Sequence, residues 1–245
     1  MPYLQGISCL NALACQVEMD EVTEAKHVCF VLHLARYFAR CWSEPQYVTA
    51  KARAESLEGI QCRLTLLMGS PSRVLGTSQR SAVSELERSL PTLFAREYPQ
   101  VLTNGDFSRP NILVGEDTCE ITGIVDWSLA AIIPFGMELD RLFLMTGYMD
   151  RGGWHDYACR SRLHDIFWDE FWSASGVGDD VWRDKVHNMA ERGARVGAIL
   201  RYAVQRNADG SPSKTLASNS ASTWRYLQAW LASLLPGSME KENAS

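Results

Sequence analysis

Two short stretches decide the fold of this 245-residue chain. Residues 104–114 read NGDFSRPNILV, and residues 121–127 read ITGIVDW. Each contains a run of apolar and β-branched residues, and the turn-like sequence GED lies between them at residues 115–117. Two such runs separated by a short turn predict a β-hairpin. We expect this hairpin to cover residues 112–114 and 120–125.

Three polar side chains lie at the two ends of the predicted hairpin. Asp106 precedes it in a loop, Asn111 lies at its mouth, and Asp126 follows its second strand. Because a hairpin brings its ends together, these oxygen ligands are expected to converge, and Mg²⁺ prefers oxygen ligands. Phosphoryl transfer uses such a set, in which one carboxylate orients the attacking hydroxyl while an Asn and a second Asp hold the metal. The Asp-x-x-x-x-Asn spacing is that of the protein-kinase catalytic loop.

These motifs resemble those of the aminoglycoside phosphotransferase and choline-kinase-like family. The family pattern is His-Gly-Asp-(Leu/Phe)-x-x-x-Asn and a strand, followed by Ile-x-x-(Ile/Val)-(Ile/Leu)-Asp-(Trp/Phe). Residues 134–140, PFGMELD, resemble the next segment of the family, in which Asp140 would be a structural aspartate. Asn104 departs from the pattern, since the family usually has His there. Asn still donates and accepts hydrogen bonds, so we expect this change to lower activity rather than abolish it.

The resemblance implies a role for each residue. Asp106 would be the catalytic base or hydroxyl-orienting residue, and Asn111 and Asp126 would bind Mg²⁺ and thereby ATP. The implied activity is an ATP- and Mg²⁺-dependent transfer of phosphate to a hydroxyl of a small molecule. Two alternatives stay open. The first is a kinase-like binding or scaffold module without catalysis, in which these residues only cap loops. The second is a recruited enzyme that uses Asp106 for acid–base chemistry in an open cleft.

Most of the remaining sequence is predicted to be helical. Apolar residues recur at helical spacing over residues 20–42, and Asp20 is the expected N-cap. Further helices are predicted over residues 46–68, where the periodicity is weaker, and over 81–97, 155–175, 179–206 and 214–235. The expected fold class is therefore α+β and mainly helical, with a small central β-hairpin. The resemblance specifies it as the C-terminal lobe of a protein-kinase-like fold.

The family places a β-rich lobe, with a phosphate-covering loop and a Lys, ahead of the catalytic half. Here the residues before Asn104 have helical patterns, so we expect this N-terminal lobe to be largely or wholly absent. Residues 1–235 are then expected to form one phosphotransferase-like lobe, and residues 236–245 a flexible tail. The face left open would be apolar and would need a cover. That cover is expected from a second copy, from a partner chain, or from an upstream segment if Met1 is not the true start.

Composition limits the classes of partner. The chain has 24 Lys and Arg against 29 Asp and Glu, a net charge of −5, which argues against nucleic-acid binding. No apolar run approaches the roughly 20 residues of a membrane span, and no basic n-region of a signal peptide is present. The seven cysteines form no CxxC pair, which predicts reduced thiols and a cytoplasmic location. The expected partner is a small-molecule substrate, whose identity the sequence leaves open.

Two other groups of residues are candidates for chemistry. The dipeptides at residues 155–156 and 164–165, both His-Asp, are of a type that binds metals. Their spacing on a helix does not place all four side chains on one face, so surface or capping roles are favoured. The run FWDEFW at residues 167–172 is favoured as core, with contact of Asp169 or Glu170 with a cationic substrate as the alternative, aided by the aromatic rings.

Overall fold

The computed structural model describes residues 4–70, 75–208, 212–217 and 221–232. Its helices within these ranges are α1 (Cys9–Ala12), α2 (Glu21–Ser43), α3 (Ala50–Met68), α4 (Thr77–Leu93), α5 (Asp140–Met145), α6 (Arg160–Ser175), α7 (Asp180–Ala203) and α8 (Ala221–Ala232). One turn of 3-10 helix covers Arg109–Asn111. The mainly helical α+β class is confirmed. The predicted tail, residues 236–245, lies outside the described residues.

The strands of the described residues are short and pair antiparallel. They are β1 (Ile7–Ser8), β2 (Gln100–Thr103), β3 (Ile112–Val114), β4 (Ile121–Ile124), β5 (Ala131–Pro134), β6 (Gly147–Met149), β7 (Trp154–Asp156), β8 (Val204–Arg206) and β9 (Pro212–Leu216). One sheet has the order β1-β3-β4, and the other strands form the pairs β2–β5, β6–β7 and β8–β9. The predicted hairpin is confirmed as β3–β4, in which Ile112 pairs with Ile124.

The sequence predicts a return to helices after residue 134, and this is wrong where the strands β6, β7, β8 and β9 form. Residues 147–156 form the β6–β7 hairpin, and the helix expected over residues 155–175 begins only at Arg160. The turn of this hairpin is stabilised by Asp150, whose Oδ1 accepts from the backbone N–H groups of Gly152 and Gly153 at 2.7 and 3.1 Å. Such Asp and Gly turn chemistry competes with helix formation. Likewise, β8 and β9 replace the ends of the helices predicted over residues 179–206 and 214–235.

Helix α2 carries much of the core. Its predicted N-cap is confirmed, since Asp20 Oδ1 accepts a 2.7 Å hydrogen bond from the Thr23 N–H. Phe38 of this helix contacts Phe107 of the loop before the hairpin and Phe167 of α6, with ring centroids 5.9 and 6.1 Å apart. Phe107 has no exposed surface. The aromatic core therefore fixes the loop that contains Asp106 against two long helices.

The aromatic and acidic run at residues 167–172 serves packing, as favoured. Phe167 and Phe171 are completely buried. Glu170 accepts a 2.6 Å hydrogen bond from Arg36 Nε of α2, which commits this carboxylate to an ion pair within the chain. None of the described helices is long and apolar enough to cross a membrane.

Helix α7 lies unusually close to residues 135–137 because glycines remove the side chains between them. A Cβ at Gly197 would lie 1.8 Å from the carbonyl oxygen of Met137. This approach places Asp140 beside Arg201, whose Nε donates to Asp140 Oδ2 at 2.8 Å, and the Asp140 side chain is completely buried. Asp140 therefore links α5 to α7, as expected of a structural aspartate.

Two glycine substitutions test the close approach of α7, and they are expected to change the free energy of unfolding in opposite directions. Gly197→Ala is expected to lower the free energy of unfolding by about 2–3 kcal/mol, because the new methyl group overlaps the backbone of Met137. Gly59→Ala in α3 is the matched control, since its Cβ meets only a flexible Arg63 atom at 3.5 Å. It should raise the unfolding free energy by about 0.5–1 kcal/mol through helix propensity. Urea denaturation measures both, and equal effects of the two substitutions would contradict the packing described.

Candidate functional site

The candidate site is built around a buried amide. Strand β2 ends at Thr103, and the next residue, Asn104, has no exposed surface. Its Nδ2 donates to the carbonyl oxygens of Val125 and Asp126 at 3.1 and 2.9 Å. Its Oδ1 accepts from the Asp106 N–H at 3.1 Å. One side chain therefore connects the loop before the hairpin to the segment after it, using both ends of the amide.

Asp106 and Asn111 are in direct contact. Asn111 Nδ2 donates to the backbone oxygen of Asp106 at 2.9 Å and to its carboxylate Oδ2 at 3.1 Å. The backbone carbonyl oxygen of Asn111 in turn accepts from the Val125 N–H at 2.9 Å. The five-residue spacing thus places the carboxamide and carboxylate side by side at the mouth of the hairpin, as the sequence predicted.

Asp126 follows β4 in a conformation that non-glycine residues rarely adopt. Its φ is 55°, in the left-handed region. Its Oδ1 accepts from Ser128 Oγ at 2.6 Å, and its side chain lies at the exposed surface. Left-handed conformations cost energy and are concentrated at functional sites. The turn aims Asp126 out of the hairpin while its backbone oxygen stays bound to Asn104.

Charged side chains hold both backbone polar groups of Gly105. The Gly105 N–H donates to Glu138 Oε1 at 2.9 Å, and its carbonyl accepts from Arg206 Nη2 at 2.9 Å. Gly105 has φ 77°, and a Cβ there would lie 1.9 Å from the oxygen of Leu129, so the position admits only glycine. The backbone beside Asp106 is therefore fixed from two sides.

Sequence reasoning missed the roles of Glu138 and Arg206. Glu138 lies in the segment 134–140, two residues before Asp140, so the sequence motif that marks Asp140 also contains it. Arg206 lies far along the chain on β8, where a helix was predicted, and no local pattern marks it. Its proximity to Gly105 follows only from the packing of α7 and the strand after it.

The charged side chains around Gly105 affect one another's pKa values. Burial raises the pKa of Glu138, although Arg201 and Arg141 oppose this, and its Oε2 has no hydrogen-bond partner among the described residues. Burial and repulsion from Arg201 lower the pKa of Arg206, and attraction to Asp106 offsets only part of this decrease. The Arg206 guanidinium therefore carries its positive charge into the region of Asp106 and Glu138.

The side chains of Asn111 and Asp126 suit a hard divalent cation. The donor end of the Asn111 amide is used by Asp106, which leaves its Oδ1 as the free acceptor. Asp126 Oδ2 makes no hydrogen bond within the part of the chain that the structure describes. Mg²⁺ binds through one or two such protein oxygens and keeps several waters. These two residues could hold Mg²⁺, and the Asp106 carboxylate is in contact with Asn111.

The two His-Asp dipeptides do not converge on a site. His155 Nε2 lies 2.9 Å from Asp150 Oδ1 in the β6–β7 hairpin. His164 Nε2 lies 3.1 Å from Thr146 Oγ1, and burial lowers the pKa of His164 to about 3. Both histidines therefore have local structural partners, although His164 is packed against Thr146 rather than at the surface or at a helix cap.

Residues 1–166 of the chain match a protein-family model that is described as the phosphotransferase enzyme family. The match covers more than half of the chain and contains Asp106, Asn111, Asp126 and Glu138, but not Arg206. A search of curated proteins finds no match.

The buried carboxylate of Glu138 predicts a pH dependence. Because burial raises its pKa in the folded protein, the folded state binds this proton more tightly than the unfolded chain does. The wild type therefore loses stability relative to Glu138→Gln as pH rises through the raised pKa, and the variant should be the more stable at pH 7. Below the usual Glu pKa of about 4.3, the two should differ least.

Chemical denaturation at several pH values measures this difference. Glu55→Gln, at an exposed position of α3, is the control and should show little pH-dependent difference from the wild type. A wild type that gains stability over Glu138→Gln with rising pH would show that Arg141 and Arg201 outweigh burial.

Proposed function

The chain belongs to the phosphotransferase enzyme family, and we propose that it transfers phosphate from ATP to a hydroxyl group of a small molecule in a Mg²⁺-dependent reaction. The observation that carries this proposal is the direct contact of Asp106 Oδ2 with Asn111 Nδ2, together with the link that Asn104 makes to Asp126. The Asp106 carboxylate and the Asn111 carboxamide are in direct contact, and Asn104 binds the backbone of Asp126 to the same loop. We further propose that the described fold corresponds to the C-terminal lobe of a kinase-like enzyme.

In the proposed reaction Asp106 is the base. The substrate oxygen forms a bond to the γ-phosphorus of ATP, its proton passes to the Asp106 carboxylate, and the bond to the bridging oxygen breaks to release ADP. Asn111 orients Asp106 through two hydrogen bonds, so the carboxylate need not reorganise before it accepts the proton. Asn111 and Asp126 would hold Mg²⁺, which when bound neutralises charge on the phosphates.

Arg206 supports this proposal because phosphoryl transfer needs positive charge near the transferred group. Its guanidinium already donates to the Gly105 carbonyl, one residue from Asp106. A guanidinium carries five N–H donors and binds phosphate in a fixed geometry. We assign to Arg206 a contact with the ATP phosphates in addition to its contact with the loop.

The alternative is a kinase-like binding or scaffold module without catalysis. The observation that favours it is the hydrogen bond between Asp126 Oδ1 and Ser128 Oγ, which is that of a residue capping its own turn. Asn104 in the place of the usual His also suits this function. Both proposals place ligand at the same loop, and turnover separates them.

The proposal includes a cover for an apolar face beside the site. Leu102 and Ile132 are paired on β2 and β5, and each is almost half exposed, at 45% and 44%. We propose that a second copy or a partner chain covers them. Sedimentation analysis tests this by measuring the mass of the particle in solution.

A cytoplasmic location, where ATP and reduced thiols occur together, is part of the same proposal. The free state of all seven cysteines supports it.

Three matched substitutions test the proposed roles. Asp126→Asn is expected to abolish Mg²⁺-dependent ATP binding measured by calorimetry, because it removes the charged ligand. Asp106→Asn should leave binding intact and lower phosphate transfer to a panel of small alcohols by about 10²–10⁴-fold, the usual effect of losing a general base. Asp117→Asn, at the opposite end of the same hairpin, removes the same charge and should behave like the wild type.

The outcomes separate the two functions. ATP binding without transfer, unchanged by Asp106→Asn, would favour the binding module. Transfer that Asp106→Asn does not slow would contradict the assignment of the base. Absence of both binding and transfer in the wild type would overturn the phosphotransferase function of this chain.

A further inference from the structure

Three side chains of metal-ligand type converge on the side of α2 facing the hairpin. Cys29 and His33 lie one helical turn apart on α2, and Glu120 lies directly before β4. Their ligand atoms all lie within 4.8 Å of one another. The spacing i, i+4 places Cys29 and His33 on the same face of the helix. Glu120 approaches that face from a distant part of the chain.

Neighbouring contacts do not account for this cluster. Within the described residues, the side chains of Cys29, His33 and Glu120 make no hydrogen bond or ion pair. The nearby cations have other partners, since Arg36 donates to Glu170 at 2.6 Å and Lys26 donates to the backbone oxygen of Glu116 at 3.5 Å. The cluster is half-buried at Cys29 and His33 and open at Glu120. An ion can therefore enter from solvent and reach all three.

We propose that Cys29, His33 and Glu120 form a binding site for Zn²⁺ or a divalent transition metal of similar chemistry. Thiolate, imidazole and carboxylate are the ligands that Zn²⁺ uses in proteins, at bond lengths of about 2.0–2.3 Å. Tetrahedral bonds of this length hold ligand atoms about 3.5 Å apart, so small side-chain rotations close the site. Three protein ligands leave the fourth position for water.

This site differs chemically from the proposed Mg²⁺ site. Asn111 and Asp126 offer only oxygen atoms, which suit Mg²⁺, whereas a thiolate and an imidazole select softer metals. The inference does not rest on the proposed function, because it uses none of the residues of that site. It gives the chain a second metal centre of another class.

The position of the site gives the metal a structural effect. Glu120 precedes β4, which leads to Asp126, and α2 packs on the loop of Asp106 through Phe38. A metal bound to all three ligands would cross-link α2 to the hairpin. Because it binds the folded chain, it would also raise the melting temperature in proportion to the logarithm of its concentration.

Cobalt provides a direct readout of the ligands. The full chain is freed of metal with a chelator and titrated with Co²⁺, which gives thiolate charge-transfer absorption in the near ultraviolet and visible bands typical of four ligands. We expect saturation at one Co²⁺ per chain and displacement by Zn²⁺. Cys29→Ser should remove the charge-transfer band, and His33→Gln and Glu120→Gln should each weaken affinity by about tenfold or more.

Two controls locate the effect. Cys62→Ser removes an exposed thiol of α3 and should leave every band unchanged. Asp126→Asn should also leave the bands unchanged, which separates this site from the proposed Mg²⁺ site. Lack of a thiolate band in the wild type overturns the inference, as does a band that survives Cys29→Ser. Because Glu120 is exposed, Glu120→Gln tests the site without disturbing the core, and unchanged affinity in this variant also overturns it.

Discussion

The buried side chain of Asn104 is the interaction on which the candidate site depends. Its three hydrogen bonds join two segments that the β3–β4 hairpin separates in sequence. In a buried, low-dielectric position each of these bonds is stronger than in water, and each partner left unpaired would be costly. The Asp106 backbone and the Asp126 backbone are therefore fixed relative to one another by one residue. Asn111 adds a second link, because its side-chain Nδ2 donates to Asp106 and its backbone carbonyl accepts from the Val125 N–H.

Charged residues from other parts of the chain hold the loop that contains Asp106. Gly105 is held by Glu138 on one side and Arg206 on the other, and Asp140 pairs with Arg201 close by. A buried charge is tolerated when it has a partner of opposite sign, as Asp140 has in Arg201, and this ion pair depends on the close approach of α7. The glycines of that helix are thus as important to the site as the residues that would touch a ligand.

Much of the site could be predicted from sequence because its signals are local. The hairpin, the spacing from Asp106 to Asn111, and the position of Asp126 all lie within one stretch of 23 residues, 104–126. Asp20 was likewise predicted as an N-cap from its immediate neighbours. The β2–β5 pairing, the contact of Arg206 with Gly105, and the convergence of Glu120 with α2 depend on segments distant in sequence. Short strands such as β8 carry no periodicity long enough to distinguish them from helix ends.

The contact between Arg206 and Gly105 extends the functional unit beyond the residues of the family match. The family match ends at residue 166, within α6, whereas the guanidinium that holds the loop comes from residue 206. A fragment cut at the end of the match would split α6 and remove α7 with Arg201. Asp140 and Glu138 would then be left as buried acids without that guanidinium. The smallest unit that preserves the Asp106 loop therefore extends through β8, so α7 and β8 belong to the site although the family match ends before them.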